Sequence, residues 1–248
     1  YPPGSTYKPF MALAALELGY RKPTDAISDP GYFDYGNHRF RDDKKGGHGI
    51  VDMYKSIVQS CDTYYYVLAA QMGVDTMHDF MKQFGFGELT GIDLAHERKG
   101  ILPSTEWKRN AYKNPNQKKW YAGETISLGI GQGYNTFTPL QLAYATALLA
   151  NNGSAARPHL VKDIEDGMSH ERRTVTTETV KLNLKQENID VIKRAMVGVM
   201  KEGTGARVFA GTGYTAGGKT GTAQVYSDKS DNGVMAAFAP FENPEIAI

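Results

Sequence analysis

The sequence predicts a mixed α/β fold of the α+β type, in which an antiparallel sheet is packed with helices and an all-α lobe lies beside it. Segments with helical periodicity dominate the first two thirds of the 248 residues, whereas strand-like segments cluster near the end. Strands and helices do not alternate as they would in a parallel βαβ sheet, so antiparallel pairing is expected. Hydrophobic residues make up 41% of the chain, which is enough for a substantial core.

Six segments carry apolar residues at helical spacing, and glycines follow most of them as stop signals. The predicted helices are Ser5–Leu18, Met53–Ser60, Thr63–Met72, Val74–Phe84, Pro139–Asn151 and Gln186–Lys201. The basic segment Lys108–Lys119 has Asn and Pro between its charges, which predicts a solvated loop. The segment Pro30–Ile50 has little apolar pattern and is expected to be irregular.

Three late segments have the small, β-branched and aromatic composition of strands. They are Tyr214–Tyr226, Val234–Phe238 and Glu245–Ile248, and Pro240–Pro244 is expected to form the turn between the last two.

The net charge of +1 gives no indication that the protein binds nucleic acid. No apolar run approaches the roughly 18 residues of a membrane span, and no signal-peptide pattern is recognised.

The segment Gly213–Thr222 fits two incompatible patterns. As G-x-x-x-x-G-K-T it matches the phosphate-binding Walker A loop, which must run directly into a helix. The residues that follow, Gly221–Tyr226, are small and β-prone and offer no helix cap. The segment is therefore expected to be the Lys-Thr-Gly strand of an active-serine acyl-transfer enzyme, with Lys219, Thr220, Gly221 and Thr222 as the substrate-binding edge.

An active-serine enzyme needs a nucleophile with a base nearby, and the start of the chain offers one. Ser5 and Lys8 are three positions apart at the start of a predicted helix, which puts them on one face. Ser5 then lies near the positive end of the helix dipole, which favours the developing oxyanion. Lys8 must lose its proton to act as a base, and Lys219 is the candidate cation that would favour its neutral form.

A second serine precedes the aromatic run that starts at Tyr64. Ser60 and Asp62 are two positions apart in a loop between helices, so that both side chains can face one cleft. In such a cleft Ser60 would relay protons, and Asp62 would accept from or orient a substrate amide.

Together these motifs resemble the transpeptidase domain of class B penicillin-binding proteins. The resemblance spans the whole chain. It rests on the motifs Pro2–Pro9, Ser60–Asp62, Gly129–Tyr134 with Thr138–Leu142, and Lys219–Gln224. Within that class, Asp62 together with Thr90–Leu94 and Gly123–Ile126 makes the chain most similar to the penicillin-binding protein 2 group. The implied fold is that of penicillin-binding proteins and serine β-lactamases.

The resemblance implies a peptidoglycan D,D-transpeptidase of cell elongation and shape maintenance, which forms an acyl-Ser5 intermediate and is blocked covalently by β-lactams. Its catalytic residues would be Ser5, Lys8 and Ser60, with the backbone N–H groups of Ser5 and Thr222 as the oxyanion hole. Implied substrates are D-Ala-D-Ala stem peptides as donors and diaminopimelate-type stems as acceptors. A membrane glycan polymerase and a periplasmic elongation scaffold are the implied protein partners.

The same resemblance implies a single transpeptidase domain over residues 1–248, incomplete at both ends, without the membrane anchor and N-terminal pedestal domain. The parent protein would work at the periplasmic face of the inner membrane of a Gram-negative bacterium. Two alternatives stay open. A β-lactam-hydrolysing or β-lactam-sensing relative would use the same Ser5, Lys8 and Lys219, but no Glu is placed by a motif to deacylate it. A P-loop nucleotide-binding module would leave Ser5 and Lys8 unexplained.

Catalysis by serine and lysine needs no cofactor, but one structural zinc ion is a possibility. The only cysteine, Cys61, lies inside the Ser60–Asp62 motif, and Asp29, Asp42 and His48 precede it within the irregular stretch. One thiolate, one imidazole and two carboxylates make a reasonable tetrahedral zinc set. Some proteins of the penicillin-binding protein 2 group are similar here and bind zinc. Asp43 could replace Asp42, and the alternative is that Cys61 is simply a buried small side chain.

Overall fold

The fold is known from a computed structural model, which describes residues 1–223 and 231–248. The chain begins with a 3-10 helix, Gly4–Tyr7, that leads directly into the first α-helix. The α-helices are α1 (Lys8–Glu17), α2 (Met53–Val58), α3 (Asp62–Met72), α4 (Val74–Lys82), α5 (Thr105–Ala111), α6 (Pro115–Lys118), α7 (Ala122–Leu128), α8 (Pro139–Ala150), α9 (Gln186–Lys201) and α10 (Ala206–Phe209). In these described ranges no helix is both long enough and apolar enough to cross a bilayer.

Most strands are short and lie in pairs. The strands are β1 (Ile27–Asp29), β2 (Tyr32–Tyr35), β3 (His38–Arg41), β4 (Gly49–Val51), β5 (Ser154–Ala156), β6 (Asp163–Glu165), β7 (Arg172–Thr174), β8 (Thr179–Lys181), β9 (Gly217–Ala223), β10 (Asn232–Ala239) and β11 (Ile246–Ala247). The largest sheet has the order β11-β10-β9 and is antiparallel, and four two-stranded ribbons pair β1 with β4, β2 with β3, β5 with β8 and β6 with β7.

Helix α1 lies at the centre of the core. It is buried from Lys8 to Leu16 and contacts α2, α3, α4 and α9. Helix α9 packs on β9, whereas α8 packs on β10 and β11. The antiparallel sheet covered by helices agrees with the predicted fold class. Because α1 starts immediately after Tyr7, the central helix carries the Ser5 turn on its N-terminal end.

Two predictions about local structure are wrong. Pro30–Ile50 is not irregular, because it holds β2, β3 and the first two residues of β4. These strands have three or four residues and largely exposed side chains, so no apolar alternation marks them. The segment Lys108–Lys119 is not a solvated loop, because it holds the end of α5 and all of α6, and Lys108 is buried.

The predicted strand Tyr214–Tyr226 begins later than expected, at Gly217. Its last predicted residues, Gln224–Tyr226, fall outside the part of the chain that the structure describes. The other predicted strands are found as β10 and β11, and the helix predicted at Gln186–Lys201 has the predicted bounds.

Candidate active site

The Ser5 turn is held between a glycine-rich loop and strand β9. Gly4 N–H donates to Gly131 O over 3.0 Å, and Thr6 Oγ1 donates to Pro3 O over 2.7 Å. Gly4 has a φ of +53°, and a Cβ at this position would lie 2.6 Å from Thr222 O. A glycine is therefore required on both conformational and steric grounds. The half-buried Ser5 side chain is consequently presented beside Thr222.

Two fully buried lysines meet at the hydroxyl of Ser60. Lys8 Nζ donates to Ser60 Oγ over 3.2 Å, and Lys219 Nζ donates to the same atom over 2.9 Å. Since a hydroxyl oxygen offers two lone pairs, Ser60 can accept from both lysines and still donate its own proton into the cleft. This arrangement suits a proton relay.

Asp62 is the ion-pair partner of Lys8, a relationship that the sequence did not reveal. Lys8 Nζ lies 2.5 Å from Asp62 Oδ1, and the Asp62 side chain is only 14% exposed. Lys8 also donates to Ser60 O over 2.6 Å. We expected the Asp62 side chain to orient a substrate amide. It also balances the positive charge of Lys8.

Lys219 Nζ donates hydrogen bonds to Ser60 Oγ and Thr220 O. In the described ranges it has no carboxylate among its hydrogen-bond partners. Burial lowers the pKa of Lys219 well below its usual range, and the positive charge of Lys8 lowers it further. The two lysines therefore have different electrostatic environments on either side of Ser60. Lys219 is the one that burial drives towards the neutral form.

A cleft of about 370 Å³ joins most of the predicted catalytic and substrate-binding residues. Ten residues line it: Ser5, Asp43, Ser60, Asp62, Ile130, Gln132, Thr204, Thr220, Gly221 and Thr222. Lys8 and Lys219 lie beneath this surface and reach it through Ser60. Thr204 is a neighbour that the sequence did not reveal, and its Oγ1 lies 2.5 Å from Thr220 Oγ1.

The glycines around Lys219 serve close packing of β9. A Cβ at Gly218 would lie 2.0 Å from Met200 Cε, and one at Gly221 would lie 3.1 Å from both Pro3 O and Thr6 N. Gly221 is therefore needed for the approach of β9 to the Ser5 turn, in addition to any approach of a substrate. After Lys219 the chain continues as a strand to Ala223 instead of entering a helix, so the Walker A interpretation fails.

A second buried lysine cluster supports the glycine-rich loop, and the sequence analysis missed it. Lys108 Nζ donates to both carboxylate oxygens of Glu124 and lies 5.3 to 5.5 Å from the ring centroids of Trp120, Tyr121 and Tyr134. Glu124 also caps the start of α7 by accepting from Tyr121 N–H over 2.9 Å. Because α7 leads into the loop that contains Gly131, this pair lies behind the Ser5 turn.

The four residues of the candidate zinc set lie together. Asp29, Asp42, His48 and Cys61 are all buried, and one potential ligand atom from each lies within 4.8 Å of the others. His48 Nδ1 is 2.8 Å from Asp29 Oδ2, and Cys61 Sγ is 3.4 Å from both Asp29 Oδ2 and Asp42 Oδ2. The donors suit zinc in type, and the separations from Cys61 Sγ match the edges of a tetrahedral zinc site, which are about 3.3 to 3.6 Å. His48 Nδ1 and Asp29 Oδ2 are closer than such an edge and would have to move apart to bind the ion.

The protonation states of Cys61 and Asp29 determine whether the cluster can bind a cation, because a metal ligand must be deprotonated. Burial, followed by the charge of Asp42, raises the pKa of the Cys61 thiol. Burial opposes ionisation of Asp29, but hydrogen bonds from Gly31 and His48 outweigh it and lower the Asp29 pKa to about 2. A divalent cation would reverse the penalty on the thiolate. Asp42 belongs to this cluster, whereas Asp43 lines the catalytic cleft.

Comparisons with known proteins identify the family of the chain. Residues 1–248 match the family model of the penicillin binding protein transpeptidase domain. The chain is 45% identical to the peptidoglycan D,D-transpeptidase MrdA of Acinetobacter baumannii, over 100% of the chain and 38% of that protein. It thus spans less than half the length of this curated relative.

Solved structures give the same result. The crystal structure of Pseudomonas aeruginosa PBP2 in complex with WCK 5153 is similar with a TM-score of 0.88 and 43% identity, over 100% of this chain and 55% of that chain. Helicobacter pylori PBP2 in its complex with MreC has a TM-score of 0.85 and 34% identity, over 100% of this chain and 44% of that chain. The chain therefore belongs to the penicillin-binding protein transpeptidase family, and the relatives described above are PBP2 and MrdA proteins.

Proposed function

We propose that the protein is a peptidoglycan D,D-transpeptidase that cross-links stem peptides during cell elongation through an acyl-Ser5 intermediate. The observation that carries this proposal is the hydroxyl of Ser60, held between the buried Nζ atoms of Lys8 and Lys219 in the cleft that Ser5 lines. Such a site supplies a nucleophile and a proton relay without a cofactor.

In the first half-reaction, Ser5 Oγ attacks the carbonyl carbon of the penultimate D-Ala of a donor stem. Lys8 takes the hydroxyl proton after passing its own proton through Ser60 to Lys219, which burial drives towards the neutral form. The C–N bond to the terminal D-Ala breaks, and that amine leaves with a proton that Ser60 donates and the buried lysines replace. Backbone N–H groups of Ser5 and Thr222 stabilise the oxyanion, each contributing roughly 2.7 to 4 kcal/mol.

In the second half-reaction, an amine of a neighbouring diaminopimelate-type stem attacks the acyl carbon. A C–N bond forms, the C–Oγ bond to Ser5 breaks, and the amine proton returns to Ser5 Oγ through Lys8. One peptide bond is lost and one is gained, so no external energy source is required. A β-lactam would acylate Ser5 in the first step and block the second.

Recognition of the donor falls to β9. Thr220 and Thr222 line the cleft and would hold the terminal carboxylate, with Thr204 orienting the Thr220 hydroxyl. Lys219 is fully buried and its pKa is lowered well below the usual range, so it acts on the cleft through its hydrogen bond to Ser60 and not as a cation for the carboxylate. The donor backbone would add to β9 as a further strand.

Asp29, Asp42, His48 and Cys61 would hold one structural zinc ion, which fixes the loop that presents Ser60 and Asp62. All four ligands are protein groups, so no site is left for a substrate or an attacking water. The ion is needed for stability of the loop and not for bond making.

The location and partners are inferred from the relatives. We infer that the protein acts in the periplasm and that a longer parent chain is anchored in the inner membrane. The Helicobacter pylori relative forms a complex with MreC, which supports a periplasmic elongation scaffold as partner. A membrane glycan polymerase is the second partner, as the resemblance implies.

Labelling with a fluorescent penicillin tests the acyl-transfer chemistry. We expect the full-length protein to gain the mass of one penicillin and Ser5→Ala to gain none. Equal labelling of both proteins, or no labelling of either, contradicts the proposal. Rapid release of the hydrolysed penicillin would favour the β-lactam-hydrolysing alternative.

A further inference from the structure

Asp43 lines the catalytic cleft but has no role in the chemistry proposed above. It follows β3 and shares the cleft surface with Ser5 and Asp62. Its neighbour Asp42 is buried among the candidate zinc ligands, so two consecutive carboxylates have different surroundings. Asp43 is exposed to solvent and can therefore meet a substrate.

The two carboxylates of the cleft differ in how their charges are balanced. Asp62 is paired with Lys8 at 2.5 Å. In the described ranges the Asp43 side chain has no salt-bridge partner, and its neighbour is the carboxyl group of Asp42, although Lys44 and Lys45 follow it in the chain. Asp43 thus places an unbalanced negative charge at the cleft that contains the nucleophile. Such a charge attracts cations into the site.

The walls of the cleft separate the two substrates. Thr220, Gly221 and Thr222 form the β9 wall, which the proposed function assigns to the donor peptide. On the other wall, Asp43 follows β3, Ser60 lies in the α2–α3 loop and Asp62 begins α3, and β3 contacts α3. The acceptor must reach the acyl carbon without displacing the donor from β9, which leaves the wall that carries Asp43.

We propose that Asp43 is an acceptor-binding residue, which holds the ammonium group of the incoming amine next to the acylated Ser5. This inference rests on the proposed transpeptidase function and deepens it by assigning the second substrate a subsite. The bound ammonium gives one proton to solvent before its nitrogen attacks the acyl carbon, and Asp43 itself forms and breaks no covalent bond in this role. It raises the local concentration of a cationic amine over that of water, so the acyl-enzyme is aminolysed more often than it is hydrolysed.

The test measures how the acyl-enzyme divides between aminolysis and hydrolysis. Full-length protein is given a thioester analogue of the donor peptide with meso-diaminopimelate as acceptor, and amide and acid products are quantified by mass spectrometry. We expect Asp43→Asn to lower the amide-to-acid ratio about tenfold at low salt and less at high salt. Asp43→Glu should largely retain the ratio, because it keeps the charge.

Two controls separate binding of a cation from general damage. Asp79→Asn removes the same charge from an exposed position of α4 outside the cleft, and the ratio should change less than about twofold. Hydroxylamine is largely uncharged at neutral pH, so its aminolysis should not depend on Asp43. Acylation by penicillin should be unchanged in Asp79→Asn, because this residue lies outside the cleft.

Other results overturn the inference. An unchanged ratio in Asp43→Asn, equal losses with hydroxylamine and diaminopimelate, or an equal loss in Asp79→Asn would each exclude an ammonium subsite at Asp43. Failure of the proposed function gives a different result, because the unaltered protein would then not be acylated at Ser5 at all. In that case the acceptor role of Asp43 fails with it.

Discussion

Lys219 Nζ lies 2.9 Å from Ser60 Oγ, although the two residues are 159 positions apart in the chain. Lys8 Nζ approaches the same oxygen from 3.2 Å, and both lysines are fully buried. Burying two amino groups this close together is costly, because each opposes the protonation of the other. Burial is the largest cause of the lowered Lys219 pKa and the charge of Lys8 adds to it, whereas the Asp62 carboxylate, which is paired with Lys8, opposes the shift.

Removing the Ser60 hydroxyl should abolish the proton relay. How stable the folded variant is should depend on whether glycine or alanine replaces Ser60. Ser60 has a φ of +60°, which glycine adopts at little cost and alanine does not. We expect Ser60→Gly and Ser60→Ala to slow acylation by penicillin about 10² to 10⁴-fold. Ser60→Gly should be more stable than Ser60→Ala by about 1 kcal/mol in urea unfolding. Thr204→Ala is the control, because it removes a hydroxyl from the cleft that is not part of the relay. If either Ser60 variant were acylated faster than Thr204→Ala, this would argue against the relay.

Replacing Lys219 should separate activity from stability. The folded-state pKa of Lys219 is lowered, so the unfolded chain binds the additional proton between that lowered pKa and the usual lysine value of about 10.4. Stability should therefore rise with pH across this window and be lowest below it. We expect Lys219→Met to lose acylation but to unfold at a higher temperature near pH 7.

The stability gain of Lys219→Met should shrink as the pH approaches 10, because the unfolded-state lysine then also loses its proton. Thermal unfolding from pH 6 to pH 10 measures this trend. As a control, Lys201→Met removes an exposed lysine of α9 and should show a flat difference across the same range. A Lys219→Met protein that is less stable at every pH would contradict the burial cost.

Long amphipathic elements could be predicted from the sequence, and short exposed ones could not. Helix α9 has a sustained apolar stripe, and its bounds match the prediction. The strands of the β2–β3 ribbon have four residues each and are half-exposed or exposed throughout, so their pairing depends on backbone hydrogen bonds that leave no apolar pattern.

The same distinction applies to the site. The spacing of Ser5 and Lys8 could be recognised because helix geometry acts over three residues. In the described ranges, however, Lys8 Nζ donates to Ser60 and Asp62 and not to Ser5. The pairing of Lys8 with Asp62 could not be recognised, since it depends on how α1 meets the α2–α3 loop. Lys108 is the clearest failure. Its neighbours in the chain are polar, and only Glu124 and the distant aromatic rings make its burial possible.

Gly221→Ala should disturb the Ser5 turn from the opposite strand. The added Cβ would lie 3.1 Å from Pro3 O and Thr6 N, which are backbone atoms and cannot rotate away. We expect a loss of about 1 to 3 kcal/mol in unfolding free energy. The acylation rate should fall about 10 to 100-fold, as it does for small misplacements of catalytic groups.

A matched control for Gly221→Ala lies on the neighbouring strand. Gly233 pairs with Thr222 in β10, and a Cβ there meets no atom within 4 Å. Gly233→Ala should therefore keep both the stability and the acylation rate. Equal effects of the two substitutions would show that strand propensity matters here and the close approach to the turn does not.

Lys108 and Glu124 should contribute to the free energy of unfolding as a coupled pair. Lys108→Met leaves the Glu124 carboxylate without its cation inside a ring of aromatic side chains, which should cost about 3 kcal/mol of stability. The double variant Lys108→Met with Glu124→Gln removes both charges and should recover much of that loss. Chemical unfolding of the two single variants and the double variant gives the coupling energy directly. Additive losses would contradict a coupled pair.

Metal content distinguishes the zinc cluster from a merely buried cysteine. We expect about one zinc ion per chain by elemental analysis, lost in Cys61→Ser and in Asp42→Asn but retained in Asp43→Asn, because Asp43 belongs to the cleft. Zinc binding requires the Cys61 thiolate, and burial raises the pKa of the Cys61 thiol when no cation is present, so the affinity for zinc should fall as the pH falls.

Removing the ion with a chelator should lower the melting temperature by about 5 °C or more. Acylation should slow with it, because Cys61 lies between Ser60 and Asp62 in the chain. A metal-free protein with full stability and a normal acylation rate would refute the site.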